Sequence, residues 1–278
     1  MNNRFTKFLF YHHIIIALCA AALCVQTKLF YSILDYPLTL ISFVFFATLF
    51  SYNIHFTLAA RKNNDSAQLS WFRNHRSLNY LVNAVTFILM LWFWWKVKSI
   101  THLIIISIII NFTYTGPLLL KKPVKLPALL TFKKSYFIGF VWAYVTVVLP
   151  LAFFKIEPQL NEIFLFMNRL MLVSLATMIF DYRDKIQDFE SGVHTPANLM
   201  NEKQFTVFFL LNVAVYFFTV ILLAVRFQNN IHLLQLIPGF VLIYQLNQSK
   251  KQTGDFFYLG MVDGVLILAS MLSLFVLI

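Results

Sequence analysis

Apolar stretches of about 20 residues recur from one end of the chain to the other, the length a helix needs to cross the hydrocarbon core of a bilayer. They predict nine membrane-spanning helices, over Phe10–Thr27, Pro37–Leu58, Leu78–Val97, Thr101–Tyr114, Tyr136–Phe154, Glu157–Asp181, Phe205–Arg226, His232–Tyr244 and Phe256–Ile278. The fourth and eighth are short, so they must run near-perpendicular to the bilayer or extend into their loops. Long connections follow the second, fourth, sixth and eighth segments, and the intervening ones are short. Long loops on one side point to a site built on one face of the bundle.

Composition fixes the solvent. Hydrophobic residues make up 60% of the chain, charged residues only 12%, and mean hydropathy is +0.74. A soluble protein of this length exposes far more charge, so the expectation is an all-α, multi-pass integral membrane protein forming a single polytopic domain over residues 1–278. The start carries Arg4 and Lys7 before an apolar run, as a signal peptide does. No small-x-small cleavage site follows before Lys28, Leu29 and Phe30, so the segment reads as an uncleaved first helix. Cys19 and Cys24 lie in that helix on different faces and read as small apolar packing residues. His12 and His13 begin it as interfacial anchors.

Charge orients the chain. With the N-terminus inside, sixteen of the 22 Lys and Arg residues fall in inside segments and five in outside ones, with Arg169 in mid-membrane. That bias predicts a cytoplasmic N-terminus and an outside C-terminus, in a membrane of the bacterial inner type. The expected partners are membrane lipids, and nucleic acid is not among them.

Against a net charge of +11, four of the eleven acidic residues crowd into ten positions at the end of the sixth segment: Asp181, Asp184, Asp188 and Glu190. On a helix the three aspartates lie within about 60° of one another. Clustered carboxylates repel unless a cation sits among them, and hard oxygen ligands at a membrane edge suit Mg²⁺, which often bridges to substrate phosphates. The alternative is a solvated charged loop neutralised by Arg183 and Lys185. The most basic loop, with Lys121, Lys122, Lys125, Lys133 and Lys134, offers charge-assisted contacts to phosphate oxygens, or serves topology and lipid headgroups alone. A faint duplication accompanies these clusters. Tyr52-Asn53 precede Asp181-Tyr182 by 129 residues, and Tyr114 with Lys121-Lys122 precede Tyr244 with Lys250-Lys251 by about as much. Two pseudo-repeated halves around a central cavity open to the cytoplasmic side would account for it.

Asp181-x-x-Asp184-x-x-x-Asp188 followed by Gly192-x-x-Thr195-Pro196 resembles the second aspartate-rich motif of the UbiA superfamily of intramembrane prenyltransferases. Tyr114-x-x-Pro117 with Lys121, Lys122, Lys134 and Gly139 resembles that family's loop after the fourth span, and the resemblance covers nearly the whole chain. The first motif departs from the family. Where Asn-Asp-x-x-Asp-x-x-x-Asp is usual, this chain keeps Asn53 but has Ile54, Thr57 and Arg61 at the aspartate positions. On a helix Asn53, Thr57 and Arg61 fall within about 80° of one another, so Arg61 projects where a metal-binding aspartate would lie. A guanidinium neutralises a diphosphate directly, and His55 adds a donor or a base. The residues thus describe a hybrid site, with one Mg²⁺ on the Asp181 side and Arg61 with lysines on the other.

What the resemblance implies is transfer of an isoprenyl group from a prenyl diphosphate to a lipophilic, often aromatic, acceptor. Asp181, Asp184 and Asp188 would hold Mg²⁺. Lys121, Lys122, Lys134, Arg61, Asn53 and His55 would bind diphosphate, and Tyr114 would position it. Two other readings stand beside it: a catalytically silent homologue that binds a lipid or isoprenoid, and a small transporter. Buried ionisable groups in a membrane usually pair or line a cavity, so Arg169, about 18 Å deeper than Asp181 along an ideal helix, is expected to meet Asp263. Trp92, Trp94, Trp95 and Trp142 are candidates to line a prenyl channel or face a carbocation.

Overall fold

Every one of the nine segments falls on helix in the computed structural model, and no strand occurs among the described residues. The structure describes residues 3–31, 33, 38–61, 66–119, 134–157, 159–251 and 254–277. We number the helices α1 (Arg4–Tyr11), α2 (Ile14–Phe30), α3 (Thr39–Ala59), α4 (Ala67–Asn74), α5 (Arg76–Lys96), α6 (Thr101–Leu119), α7 (Lys134–Phe153), α8 (Leu160–Glu190), α9 (Pro196–Leu199), α10 (Glu202–Arg226), α11 (Leu236–Ser249) and α12 (Phe257–Phe275). Six of them, α3, α5, α7, α8, α10 and α12, are long and apolar enough to cross a membrane, and the bent pair α1–α2 makes up to seven. The sequence pattern predicts nine crossings. The difference lies in the fourth and eighth segments, whose apolar helices are shorter.

The chain divides into two compact units, Met1–Ala21 with Asp35–Val124, and Ala22–Leu34 with Lys125–Ile278. The first half of α2 therefore belongs to one unit and its second half to the other.

In the first unit α1 and α2 meet at an angle of 50°, broken at His12-His13, where His13 takes a φ of 61°. A break inside an apolar helix strands backbone carbonyls that lipid cannot satisfy. Asn53 of α3 answers this: its Nδ2 donates to the His12 carbonyl at 2.7 Å, and its Oδ1 faces His12 Nδ1 at 2.9 Å. α3 and α5 pack antiparallel through ring pairs, Phe46 on Phe93 and Phe50 on Phe87, with ring centroids 5.6 and 5.2 Å apart. A polar rung completes the contact, as Asn83 donates to the Thr57 hydroxyl at 3.0 Å.

In the second unit α7 crosses α8 at Gly139. A methyl group there would lie 2.6 Å from the Leu170 carbonyl and press on the Ser174 hydroxyl, so only glycine permits this approach. Farther along α7, Pro150 has no N–H to give the carbonyl four residues before it. That carbonyl, of Thr146, instead accepts the Thr27 hydroxyl at 2.7 Å, and the chain there passes through a π-helical turn over Tyr144–Val148. Arg169 is fully buried on α8. Its expected ion pair with Asp263 is not formed. The guanidinium donates to the Leu23 carbonyl and the Thr146 hydroxyl, each at 3.0 Å, and to Gln26 Oε1 at 2.5 Å. Gln26 in turn donates to Gln235, Ser273 and the Ala269 carbonyl. Several neutral dipoles thus solvate the charge, an alternative to a counterion that residue spacing does not reveal. Phe30, Val147, Leu151, Leu165 and Leu223 form an apolar core cluster in the same unit.

Large apolar side chains cover the outside. Leu81, Ile88 and Trp95 on α5 and Leu211 and Phe218 on α10 are each at least 60% exposed. A surface this apolar is stable only against lipid. Trp92 and Trp95, candidates for a prenyl channel, instead stand on the exposed face, with Lys96 over the Trp92 ring at 5.2 Å and Lys98 over Trp95 at 5.1 Å. Lysine and tryptophan at a helix end are interfacial anchors. Trp142 is buried.

Candidate functional site

The acidic stripe sits where α8 outlasts a bilayer. Thirty-one residues make a helix about 46 Å long, against a hydrocarbon core of about 30 Å, so its final turns extend beyond the apolar layer. Asp181 begins those turns. The helix then stops by a Schellman arrangement. Val193 N–H bonds the Asp188 carbonyl at 2.8 Å and Gly192 N–H bonds the Phe189 carbonyl at 3.0 Å, with Gly192 at a φ of +74°. Thr195 and Pro196 open the short α9 at once, and Asn198 Oδ1 accepts the Thr195 N–H at 2.9 Å. The Gly192-x-x-Thr195-Pro196 motif is thus a stop and a restart that fix the end of the stripe.

The Gly139 crossing carries the start of α7 alongside the end of α8. Lys134 Nζ lies 3.1 Å from Asp181 Oδ1 and 3.0 Å from Asp188 Oδ2. The Ser135 hydroxyl donates to the other oxygen of Asp181. Asp181 is 2% exposed and Asp188 16%, so two carboxylates are held on one ammonium in a largely dry setting. Asp184 does not join them. Arg183 grips it in a fork, Nε to Oδ1 at 2.6 Å and Nη2 to Oδ2 at 2.9 Å, while the guanidinium stacks over Phe180 and Tyr258. Among the described residues, no three His, Cys, Asp or Glu side chains converge on a point that a metal ion could share.

The donor set nevertheless fits a divalent cation in kind. Asp181 and Asp188 present hard oxygens to one point, and what stands at that point is a positive charge. Lys134, expected to bind diphosphate, is in this structure the counterion of the carboxylates. Ser135, the buried hydroxyl beside it, escapes a search for charged residues. Its only sequence signal is its place next to Lys134 at the head of a helix.

In the first unit Asn53 is fully buried, with both ends of its amide engaged by His12 and its Nδ2 also on the Leu49 carbonyl. Any diphosphate would have to break these bonds to reach it, so Asn53 holds the α1–α2 break. Thr57, at an expected aspartate position, donates to the Asn53 carbonyl and accepts from Asn83. Arg61 follows the end of α3 and is exposed, and His55 packs edge-on against Phe56. Tyr114 lies on α6, but its side chain is outside the described residues, as are Lys121, Lys122, Lys125 and Lys133.

No family model matches the chain, and no curated protein does. Among solved structures, the fold is similar to that of a digeranylgeranylglyceryl phosphate synthase studied in membranes, with a TM-score of 0.56 at 14% identity. The likeness covers 96% of this chain and 98% of that one. The chain therefore shares, over nearly its whole length, the helical fold of a membrane-associated synthase.

Proposed function

We propose that this chain is an intramembrane prenyltransferase that moves an isoprenyl group from a prenyl diphosphate to a lipophilic acceptor, with Mg²⁺ as cofactor. The observation that carries this reading is the pair Asp181 and Asp188, drawn from α8 onto a single cation where the helix leaves its apolar stretch. The fold likeness supports it, since the neighbour's name describes a synthase whose product carries two geranylgeranyl groups on glyceryl phosphate. So does the resemblance of the Asp181–Pro196 stretch to the second aspartate-rich motif of the UbiA superfamily.

In this reading Asp181 and Asp188 would hold Mg²⁺, with Asp184 released from Arg183 to join them. The ion would neutralise the departing diphosphate. Lys134, displaced from the carboxylates, would turn to the phosphate oxygens, while the roles of Lys121, Lys122 and Arg61 as diphosphate ligands and of Tyr114 in positioning rest on the family resemblance alone. The apolar helices keep water from the allylic centre while it carries positive charge. The proposal includes nine crossings with a cytoplasmic N-terminus. The test is turnover of a labelled prenyl diphosphate in membranes containing the protein. Transfer that needs Mg²⁺ and is lost in Asp181→Asn supports the reading, and absence of transfer across a panel of chain lengths and acceptors overturns it.

One observation favours a second reading. Both members of the carboxylate pair already have a protein cation, and Asp184 has its own. A lipid-binding homologue without catalysis would keep such internal pairing. Binding of the prenyl diphosphate with no turnover, unaffected by chelation, is its signature.

A further inference from the structure

Ser135 stands beside Lys134 at the head of α7 and is 2% exposed. It shares a buried face of that helix with Gly139, Trp142 and Ala143, at the spacing that stacks residues one turn apart. Gly139 brings this face against α8 at Leu170 and Ser174. Asp181 lies two helical turns beyond Ser174, on the same side of α8. The crossing thus delivers the Ser135 hydroxyl to the Asp181 carboxylate, where it donates to Oδ2. A serine that merely starts a helix accepts a backbone N–H. Ser135 instead gives its proton to a carboxylate on another helix.

This contact makes the two oxygens of Asp181 unlike. A hydroxyl has one proton to give, and Oδ2 receives it. Oδ1 is buried and stands 3.1 Å from the Lys134 ammonium, yet it accepts no hydrogen bond among the described residues. It has charge beside it and no aligned donor. A spherical cation can replace such a partner with no loss of hydrogen bonding at that oxygen. Asp188 Oδ2 meets the same ammonium at 3.0 Å, so the two carboxylates each turn one oxygen to a common point. With Oδ2 tied to Ser135, the Asp181 carboxylate is held against rotation and Oδ1 stays aimed there. Removing a polar group that holds a carboxylate ligand in this way typically costs about 10–100-fold in metal affinity.

We propose that Ser135 is a positioning residue that selects Mg²⁺ over Ca²⁺, by holding Asp181 to a single coordinating oxygen. Ca²⁺ gathers about six to eight oxygens in a flexible shell and readily takes both oxygens of one carboxylate. Mg²⁺ demands a near-ideal octahedron, takes few carboxylate oxygens and keeps several waters. A carboxylate pinned by one oxygen serves the second ion and penalises the first. The inference rests on the reading of Asp181 and Asp188 as Mg²⁺ ligands and adds the choice of ion, which that reading leaves open.

The experiment uses the full-length protein in phosphatidylcholine nanodiscs. Mn²⁺, which shares the preference for carboxylate and water oxygens, is bound first, and its free form is read by electron paramagnetic resonance. Mg²⁺ or Ca²⁺ then displaces it, and Asp181→Asn gives the blank for ions held elsewhere. The native protein should release Mn²⁺ to Mg²⁺ at a concentration at least about tenfold below that needed for Ca²⁺. In Ser135→Ala the Mg²⁺ affinity should fall about tenfold and the gap between the two ions should close to about threefold or less. If the alanine variant melts early, Ser135→Cys replaces it, with a similar size and a weak donor, and the same narrowing is expected. An unchanged Mg²⁺-to-Ca²⁺ ratio in a folded variant overturns the selective role of Ser135 and leaves the Mg²⁺ reading standing. A native protein that prefers neither ion overturns it as well. If the native protein holds Mn²⁺ no more tightly than Asp181→Asn does, the cation site itself falls, and this inference with it.

Discussion

The ammonium of Lys134 is shared by Asp181 and Asp188, and removing it would leave two carboxylates facing each other with little water. Breaking a buried ion pair by deleting one partner costs about 3–5 kcal/mol. Lys134→Ala should therefore lower the melting temperature, and Mg²⁺ should restore much of it. A ligand at a hundredfold excess over its dissociation constant returns about 2.7 kcal/mol, comparable with the loss. Melting in nanodiscs with and without Mg²⁺ checks this, and a variant indifferent to the ion would show that the carboxylates do not form a cation site. Asp184 belongs to another class. Its carboxylate is 32% exposed and paired with its chain neighbour, a pairing generally worth about 1 kcal/mol or less. Because so weak a pairing is cheaply released, Asp184→Asn should reduce prenyl turnover as Asp181→Asn and Asp188→Asn do; a far smaller loss would mean that Asp184 stays with Arg183 and takes no part in holding the ion. Sequence spacing placed all three aspartates on one stripe, and on the helix they do lie there. It could not show that their partners differ, because Lys134 arrives from another helix while Arg183 is adjacent.

Glycines 139 and 192 show how elements fix the site by two unlike means. Gly139 matters for space, since any side chain meets the Leu170 backbone across the α7–α8 crossing. Gly139→Val should destabilise by about 1–3 kcal/mol, as overpacking does, and should also pull Lys134 from Asp181, so turnover falls with stability. Gly192 matters for conformation. A methyl group there meets nothing, but the φ of +74° disfavours it. Gly192→Ala should cost about 1 kcal/mol and Gly192→Asn less, because asparagine tolerates the left-handed region. Denaturation of the two variants beside the native chain tests the ranking, and an alanine variant as stable as the native protein would contradict it. Helix positions were legible because apolar run length is a local property. The Gly139 crossing, the Thr27 hydroxyl on the carbonyl freed by Pro150, and the neutral shell around Arg169 were not, since each depends on residues distant in sequence.

At the scale of the molecule the open quantity is the number of crossings, and it decides which side each loop faces. The helix α11 has fourteen residues, about 21 Å, too short alone for a core of about 30 Å. It is preceded without a gap by a six-residue 3₁₀ segment, Asn230–Gln235, which adds about 12 Å at 2 Å per residue. Together they are about as long as that core is thick. The same holds for α6, nineteen residues extended by the 3₁₀ turn Lys98–Ile100. Each short helix thus carries a tighter helical segment at one end that would lengthen it toward the thickness of the core, which a fixed apolar window does not register. Cys19 and Cys24 are buried, so the native thiols should resist a membrane-impermeant reagent, and single cysteines can report sidedness. With nine crossings, Asn229→Cys should label from outside and Gly254→Cys only after the membrane is opened. Labelling of both from one side would mean that α11 does not cross. Ser66→Cys should label from the same side as Gly254→Cys, because three pairs of helices, α5 with α6, α7 with α8 and α10 with α11, intervene. An even number of crossings returns the chain to the face it left, and that face is the one on which the acidic end of α8 must emerge to meet a soluble diphosphate.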